Sequence, residues 1–186
     1  MSVHLNKHME QINYNHIAIE EKPFADRLAQ FIKYVIRPNR VVDIGCGPGH
    51  FVESMLDLGI DAVGIDIDER IGDKPYLFRE DILSTKLAAD VCICLEVVEH
   101  IHIDHADDII YKISNMFTDT LIFTAAQPGQ GGVGHINCQY PEYWNEKFIR
   151  NGCMRNIMME DMVKYYCKQG RYMGWFYNNV MVFSKG

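Results

Sequence analysis

The sequence predicts an α/β fold in which a mostly parallel sheet is covered by helices on both faces. Short apolar runs alternate with segments of helical spacing, glycine or proline separates them, and one run leads straight into a glycine-rich turn. Strands that alternate with helices are joined by crossover connections, which make neighbouring strands parallel. The chain has 186 residues with no repeat and no linker, so we expect a single domain.

The first segment, residues 1–39, is expected to be irregular over its first twenty residues and then to form one helix. Apolar side chains recur from Phe24 to Val35 at the spacing of one helical face. Pro23 precedes this run and Pro38 follows it. The pattern therefore predicts a helix with Pro23 in its first turn and its end before Pro38.

In residues 40–126, short apolar runs typical of buried strands alternate with segments of helical spacing. This region is the predicted core of the sheet. Strands are predicted at Arg40–Ile44, Asp61–Ile67, Tyr76–Arg79, Val91–Leu95 and Leu121–Thr124, and helices at Phe51–Leu58 and Ile109–Phe117.

The last two segments differ in character from this core. Residues 127–140 form a glycine-rich loop, and loops of this length are usually lids or binding elements. Residues 141–186 are expected to contain C-terminal helices and a strand. The clearest of these are a helix at Pro141–Arg150 and a strand at Val180–Ser184.

Charge and cysteine content narrow the function classes. Lysine and arginine number 18 against 25 aspartates and glutamates, a net charge of −7, which disfavours a general polyanion binder. With 48% hydrophobic residues, wholesale disorder is excluded. The six cysteines form no CxxC pair, so we expect buried free thiols and a cytoplasmic protein. Neither a signal peptide nor an apolar stretch of about 18 residues is present, so no membrane span is expected.

The most informative stretch is Val41–His50, where an apolar strand leads into a turn with three glycines. Glycine permits a positive φ in a tight turn and leaves space where a ligand approaches the backbone. The dinucleotide pattern G-x-G-x-x-G/A fails, because its third position falls on His50 or Val52. The pattern present, D-x-G-x-G-x-G from Asp43 to Gly49, resembles the first motif of the class I S-adenosylmethionine-dependent methyltransferases.

This resemblance extends from about Arg40 to Phe183. Asp66 lies about 20 residues beyond the turn, where an acid accepts hydrogen bonds from both ribose hydroxyls. The resemblance implies S-adenosylmethionine as cofactor, with Ile67 against the adenine, Asp81 on its amino group and the Ile82 N–H on its ring. It also implies a Rossmann-like sheet of seven strands, the last antiparallel. The expected cofactor-binding residues are Asp43, Gly45, Cys46, Gly47, Gly49, Asp66, Ile67, Asp81, Ile82 and Leu95.

A second cluster follows the fourth strand, at the edge of the sheet that faces the ligand crevice. Glu96, Glu99 and His100 form the pattern E-x-x-E-H, and His135 lies in the glycine-rich loop. These four candidate metal ligands suit a divalent cation such as Mg²⁺ or Mn²⁺. The pattern resembles those of ubiquinone-pathway O-methyltransferases and of small-RNA 2′-O-methyltransferases. The alternative is a solvated loop whose carboxylates cap a helix. The candidate catalytic residues are Glu99, His100 and His135.

The cluster also favours one type of acceptor. An alcohol needs a base or a cation to lower its pKa before it attacks a sulfonium methyl group, whereas a neutral amine does not. We therefore expect O-methylation of a small-molecule hydroxyl on a sugar, phenol or metabolite. Two alternatives stay open: a non-catalytic methyltransferase-like subunit that binds a partner, and an RNA 2′-O-methyltransferase. For the latter, a basic stripe would be formed by Lys147, Arg150, Arg155 and Lys168.

Aromatic residues near the loop have two interpretations. Tyr140, Tyr143 and Trp144 either stack on a flat or sugar-like substrate or pack in the core, and their helical spacing favours the core. Tyr14 and His16 are expected to close over the cofactor with the first helix. The remaining C-terminal aromatics, expected to pack on the sheet, are Tyr165, Tyr166, Tyr172, Trp175 and Tyr177.

Overall fold

The computed structural model describes residues 13–168 and 173–186, which form one sheet flanked by helices. The strands are β1 (Arg40–Ile44), β2 (Asp61–Asp66), β3 (Leu77–Arg79), β4 (Ala89–Leu95), β5 (Phe117–Thr124), β6 (Cys153–Arg155) and β7 (Met181–Lys185). The helices are α1 (Tyr14–Phe31), α2 (His50–Asp57), α3 (Ala106–Ser114), α4 (Pro141–Arg150), α5 (Ile157–Cys167) and α6 (Gly174–Asn179).

The seven strands lie in the order β3-β2-β1-β4-β5-β7-β6. The pairs β1–β2, β2–β3, β1–β4 and β4–β5 are parallel, whereas β7 is antiparallel to both of its neighbours. The predicted Rossmann-like sheet with an antiparallel last strand is therefore confirmed. The order reverses between β1 and β4, and in such sheets the ligand crevice opens at this point.

The sheet is buried on both faces, which explains why its strands read as continuous apolar runs. Along β4, Val91 and Ile93 face the layer that contains α1 and α2, while Cys92 and Cys94 face the layer of α3 and α4. All six cysteines are free thiols, and only Cys138 is more than slightly exposed. The expectation of buried thiols holds for the other five.

The first helix starts earlier than its sequence suggested. It begins at Tyr14, where the Asn13 side chain accepts a hydrogen bond from the His16 N–H, so Pro23 lies inside the helix rather than in its first turn. Pro23 is exposed, so water can satisfy the carbonyl that its missing N–H leaves free. The expectation of an irregular start is therefore wrong from Tyr14 onward; residues 1–12 lie outside the described part.

The boundaries of α3, β4 and β5 also differ from their predictions, and three elements had no clear signal. The α3 helix ends at Ser114, because Phe117 already pairs with Ala89 as the start of β5. β5 is thus four residues longer than predicted. The elements without a prediction of their own are β6, α5 and α6. Among the described residues, no helix is long and apolar enough to cross a membrane.

Candidate active site

A cavity of about 570 Å³ opens at the carboxyl ends of β1, β2 and β4. The α1 helix covers one side of it through His16, Ile17 and Glu21, and the glycine-rich loop covers another through Gln130, Val133 and His135. Cavities of this size at the crevice of a parallel sheet are typical ligand sites. His16 thus lies where the sequence placed it, whereas the side chain of Tyr14 lies outside the described part.

The glycine turn after β1 is fixed by backbone bonds and by lack of space. The N–H groups of Gly45 and Cys46 both donate to the Ile65 carbonyl oxygen, at 2.8 and 3.0 Å. Gly45 has φ +74°, and a Cβ there would stand 2.4 Å from Cγ2 of Val97. Gly49, at φ +83°, would collide with Leu77. Gly45, Cys46 and Gly47 line the cavity, while Gly49 does not and acts instead through packing.

Asp43 presents a carboxylate at the floor of the cavity with one oxygen unsatisfied. Its side chain is buried, and Oδ2 has no hydrogen-bond partner among the described residues. Burial, and to a smaller extent the charge of Asp66, raises the pKa of Asp43 from 3.8 to about 8. A buried, unpaired carboxylate is costly, so this position favours a cationic ligand that restores its partner.

Asp66 holds the turn and faces the cavity. Its Oδ2 accepts the Gly47 N–H at 2.9 Å, and its Oδ1 accepts the Asp68 N–H at 2.8 Å. Burial raises the pKa of Asp66 despite these bonds. Each oxygen keeps a second lone pair, so the carboxylate retains the capacity to bind a pair of hydroxyls. The neighbouring cavity wall is formed by Ile67, Asp81, Ile82 and, from β4, Leu95.

Glu99, His100 and His135 form a cluster whose two histidines line the cavity, whereas Glu99 does not. One ligand atom from each lies within 4.8 Å of the others, and Glu99 Oε1 is 4.0 Å from His135 Nε2. Glu99 is fully buried; its Oε1 accepts the Ala126 N–H at 3.2 Å, while Oε2 has no partner among the described residues. Burial raises the pKa of Glu99 well above its usual value, and the charge of Glu96 adds to this.

The imidazole of His100 is arranged as a ligand rather than as a strong base. His100 Nδ1 lies 3.2 Å from the Gly134 carbonyl oxygen, so this nitrogen carries the proton and Nε2 keeps its lone pair. Burial, together with the neighbouring His135 ring, lowers the pKa of His100 from 6.5 to about 4. The ring centroids of His100 and His135 are 5.0 Å apart. One oxygen and two nitrogen ligands suit a divalent cation.

Glu96, the fourth predicted ligand, does not join this group of three. It has φ +54°, a left-handed conformation that is rare outside glycine. Its oxygens accept hydrogen bonds from Gln130 Nε2 at 2.5 Å and from Asn179 Nδ2 at 3.0 Å. The backbone conformation and the two amides direct this carboxylate toward the loop and α6, although Glu96 still lines the cavity.

A comparison with known families gives the class of the protein. Residues 14–155 match the sequence pattern of a family described as a methyltransferase domain, which is most of the chain. The chain belongs to the class I S-adenosylmethionine-dependent methyltransferases. This membership confirms the predicted enzyme class, and S-adenosylmethionine as its cofactor.

Individual relatives of this methyltransferase are more distant. A ubiquinone biosynthesis O-methyltransferase from Paraburkholderia phymatum is 39% identical over 77 residues, a match that spans 33% of each chain. A magnesium protoporphyrin IX methyltransferase from Synechocystis, solved with S-adenosylhomocysteine, has a TM-score of 0.66 at 18% identity, covering 95% of this chain and 89% of that one. The sugar N-methyltransferase KedS8 from Streptoalloteichus gives 0.66 at 10% identity, covering 94% and 93%. These structures share the fold.

Sequence reasoning missed several residues that line the cavity of the methyltransferase. Trp175 was expected to pack on the sheet, yet it lines the cavity beside Gln130. His50 lies at the start of α2, where its Nε2 is 3.1 Å from Glu21 Oε2 and ties α1 to the turn. The one sequence feature that pointed to the His50–Glu21 contact was the position of His50 directly after the glycine turn, at the start of a predicted helix.

The aromatic residues of α4 pack in the core, as their helical spacing suggested. Trp144 is 1% exposed and contacts Phe123, and Tyr143 packs edge-on against Trp144. Tyr140 is exposed and, like Tyr143 and Trp144, does not line the cavity. None of these three is therefore in position to stack on a ligand in the described cavity.

Proposed function

We propose that this methyltransferase transfers the methyl group of S-adenosylmethionine to a hydroxyl of a small molecule. The observation that carries the proposal is the cluster of Glu99, His100 and His135, whose two histidines line the cavity. A hydroxyl is a poor nucleophile at neutral pH, and its activation is the chemistry for which such a cluster is suited. An amine acceptor would leave one buried carboxylate and two half-buried imidazoles without a function.

The residues fit both groups that this reaction needs. On the cofactor side, the unsatisfied Asp43 Oδ2 meets the positive charge of the cofactor, Asp66 binds the ribose, and Ile67, Asp81 and Ile82 surround the adenine. On the acceptor side, Glu99, His100 and His135 would hold a divalent cation, which lowers the pKa of a coordinated hydroxyl. Most of the remaining contribution is positioning of the two reactants.

Likeness to known proteins supports the class of reaction and leaves the acceptor open. The ubiquinone biosynthesis relative is an O-methyltransferase, and so is MmcR, named for mitomycin 7-O-methylation, which shares the fold with a TM-score of 0.63 at 13% identity. KedS8 is an N-methyltransferase of the same fold. The choice of oxygen therefore rests on the cluster and not on these relatives.

An RNA acceptor is disfavoured by the state of the basic stripe. Lys147 pairs with Asp107, Arg150 with Glu146, and Arg155 with Glu160. Cations that are already neutralised by carboxylates release few counterions on binding a phosphate backbone. The net charge of −7 acts in the same direction.

The test combines product analysis with cation binding. With S-adenosylmethionine and a panel of hydroxyl acceptors, we expect O-methylated products in Mg²⁺ or Mn²⁺ and little product in chelator. Calorimetric titration with either cation should give saturable binding to the wild type and none to His135→Ala. His102→Ala is the matched control, because His102 is exposed and lies outside the cluster. N-methylated products, or equal O-methylation in chelator and in cation, would contradict the proposal.

A further inference from the structure

We infer that this methyltransferase has an acceptor subsite built for a neutral saccharide, in a second cavity that opens into the first. This inference rests on the proposed hydroxyl acceptor and names its class. The second cavity has a volume of about 700 Å³ and is called the amide groove below. Its walls are formed mainly by Gln127, Pro128, Gln130, Trp175, Asn178 and Asn179.

The amide groove is continuous with the cavity that contains the cation ligands. Gln130, Gly131 and Trp175 line both spaces. A molecule bound along the groove therefore extends past Trp175 toward His100 and His135. The groove is thus placed to hold the body of an acceptor whose reacting hydroxyl lies in the main cavity.

The chemistry of the groove is that of uncharged hydrogen bonding. Four of its side chains are carboxamides, and the described residues that line it include no charged side chain. A carboxamide both donates and accepts, as a hydroxyl does, so rows of amides match rows of hydroxyls. A phosphate, sulfate or carboxylate on the ligand would find no cation in this lining, which distinguishes a neutral saccharide from a nucleotide.

Three of the four amides are held in fixed orientations by a hydrogen-bond network that includes Glu96. Glu96 only accepts hydrogen bonds, so Gln130 and Asn179 must point their NH₂ groups toward it. Asn179 Nδ2 also donates to Gln130 Oε1 at 2.8 Å, and Asn179 Oδ1 accepts from Gln127 Nε2 at 3.1 Å. Gln127 Nε2 donates as well to the Asn178 carbonyl oxygen. Preorganised polar groups bind a ligand with less loss of entropy.

Trp175 supplies the apolar face that a sugar ring requires. It is half-buried, and its indole is held edge-to-face by Phe24 at 5.6 Å and by Phe176 at 5.8 Å between ring centroids. A sugar ring has a polar rim and an apolar face of C–H groups, so it matches an indole beside a row of amides. A phenol would match the indole but would offer a single hydroxyl to a wall that contains four carboxamides.

The experiment uses the intrinsic fluorescence of the protein, because the chain has two tryptophans and they differ in position. Trp144 is buried in the core and Trp175 lines the groove. The wild type, loaded with S-adenosylhomocysteine, is titrated with methyl glycosides of neutral hexoses and with maltose and lactose. Glucose 6-phosphate, glucuronate, phenol and adenosine serve as comparison ligands.

We expect saturable changes in emission with neutral glycosides, and binding at least about tenfold weaker for the charged sugars, phenol and adenosine. The change should vanish in Trp175→Phe and persist in Trp144→Phe; if the second variant fails to fold, the difference between wild type and Trp175→Phe gives the same information. Gln127→Ala and Asn178→Ala should weaken binding about three- to tenfold, the effect of losing a neutral hydrogen bond. Asn115→Ala, an exposed amide at the end of α3, should bind as the wild type does.

The inference is overturned if no neutral glycoside gives a saturable change, if phenol or adenosine binds more tightly, or if the response survives in Trp175→Phe. Failure of the proposed function has a different signature, because the titration requires no turnover. If glycosides bind but never receive a methyl group on oxygen, the proposed O-methylation is contradicted and the saccharide subsite is retained. If other hydroxyls are methylated and no glycoside binds, only the saccharide subsite is contradicted.

Discussion

The two halves of the cavity are built in different ways. The cofactor half consists of a turn and two strand ends, whose geometry is set by backbone bonds and by glycines that have no space for a side chain. The acceptor half consists of a loop, a short helix and the end of β4, joined by side-chain amides around Glu96. The first half tolerates little change, whereas the second is adjustable residue by residue.

The largest expected effect comes from comparing one glycine of each half. Gly45→Ala combines a positive φ with a collision against Val97, and should lower the free energy of unfolding by about 2–5 kcal/mol. Gly131→Ala, where φ is not positive and no described atom lies within 4 Å of the added carbon, should change it by less than about 0.5 kcal/mol. Urea denaturation of both variants measures the difference; equal effects would remove the contrast between the two halves.

A smaller effect is expected when the proposed ribose contact is removed. Asp66→Ala should weaken binding of S-adenosylhomocysteine by about 1.5–3 kcal/mol, the range for hydrogen bonds to a charged group. The same substitution frees the Gly47 and Asp68 N–H groups, so its unfolding curve is needed beside the calorimetric titration. Unchanged affinity in a stably folded variant would show that the ribose lies elsewhere.

The third expected effect, of similar size at most, is a pH dependence that belongs to the cofactor half alone. Burial raises the pKa of Asp43 to about 8, and a cationic ligand binds the ionised carboxylate best. Affinity for S-adenosylmethionine should therefore rise as pH increases from 6 toward 8, by up to about tenfold per unit, and level off above that pKa. S-adenosylhomocysteine, which lacks the sulfonium charge, should show a shallower slope. Titrations across this range with Asp43→Asn should be flat; a slope that persists there would assign it to another group.

The same contrast explains how much of the molecule could be predicted from its sequence. The residues of the cofactor half could be predicted because each part of it is local in sequence. The turn occupies consecutive residues from Asp43 to Gly49, and Asp66 and Asp81 each follow a strand. The strand order then brings these parts together. Sequence spacing and strand ends were sufficient for this, because parallel strands meet their ligand at one edge.

The acceptor half depends on contacts between distant residues, which periodicity does not reveal. Asn179 lies 83 positions from Glu96 and 49 from Gln130, and it lies in a six-residue helix that had no sequence signal. Trp175 belongs to the same helix, so its place in the cavity could not be predicted either. The departure of Glu96 from the other three predicted ligands follows from the same amides. The spacing of apolar and β-branched residues predicts strands and helices, and gives no information on hydrogen bonds between side chains that are distant in sequence.

The attachment of the glycine-rich loop to Glu99 has a consequence for ion preference. The N–H groups of Ile136 and Asn137 both donate to the backbone carbonyl oxygen of Glu99, at 2.9 Å each, so backbone atoms alone position His135 beside its partners. Because every residue type has these atoms, a different side chain at position 135 would be presented at the same place. Aspartate there would shift the donor set toward hard ions such as Mg²⁺, and cysteine toward softer ions such as Zn²⁺. If the proposed cation binds here, one substitution at position 135 would change which ion is preferred and leave the backbone that carries the side chain intact.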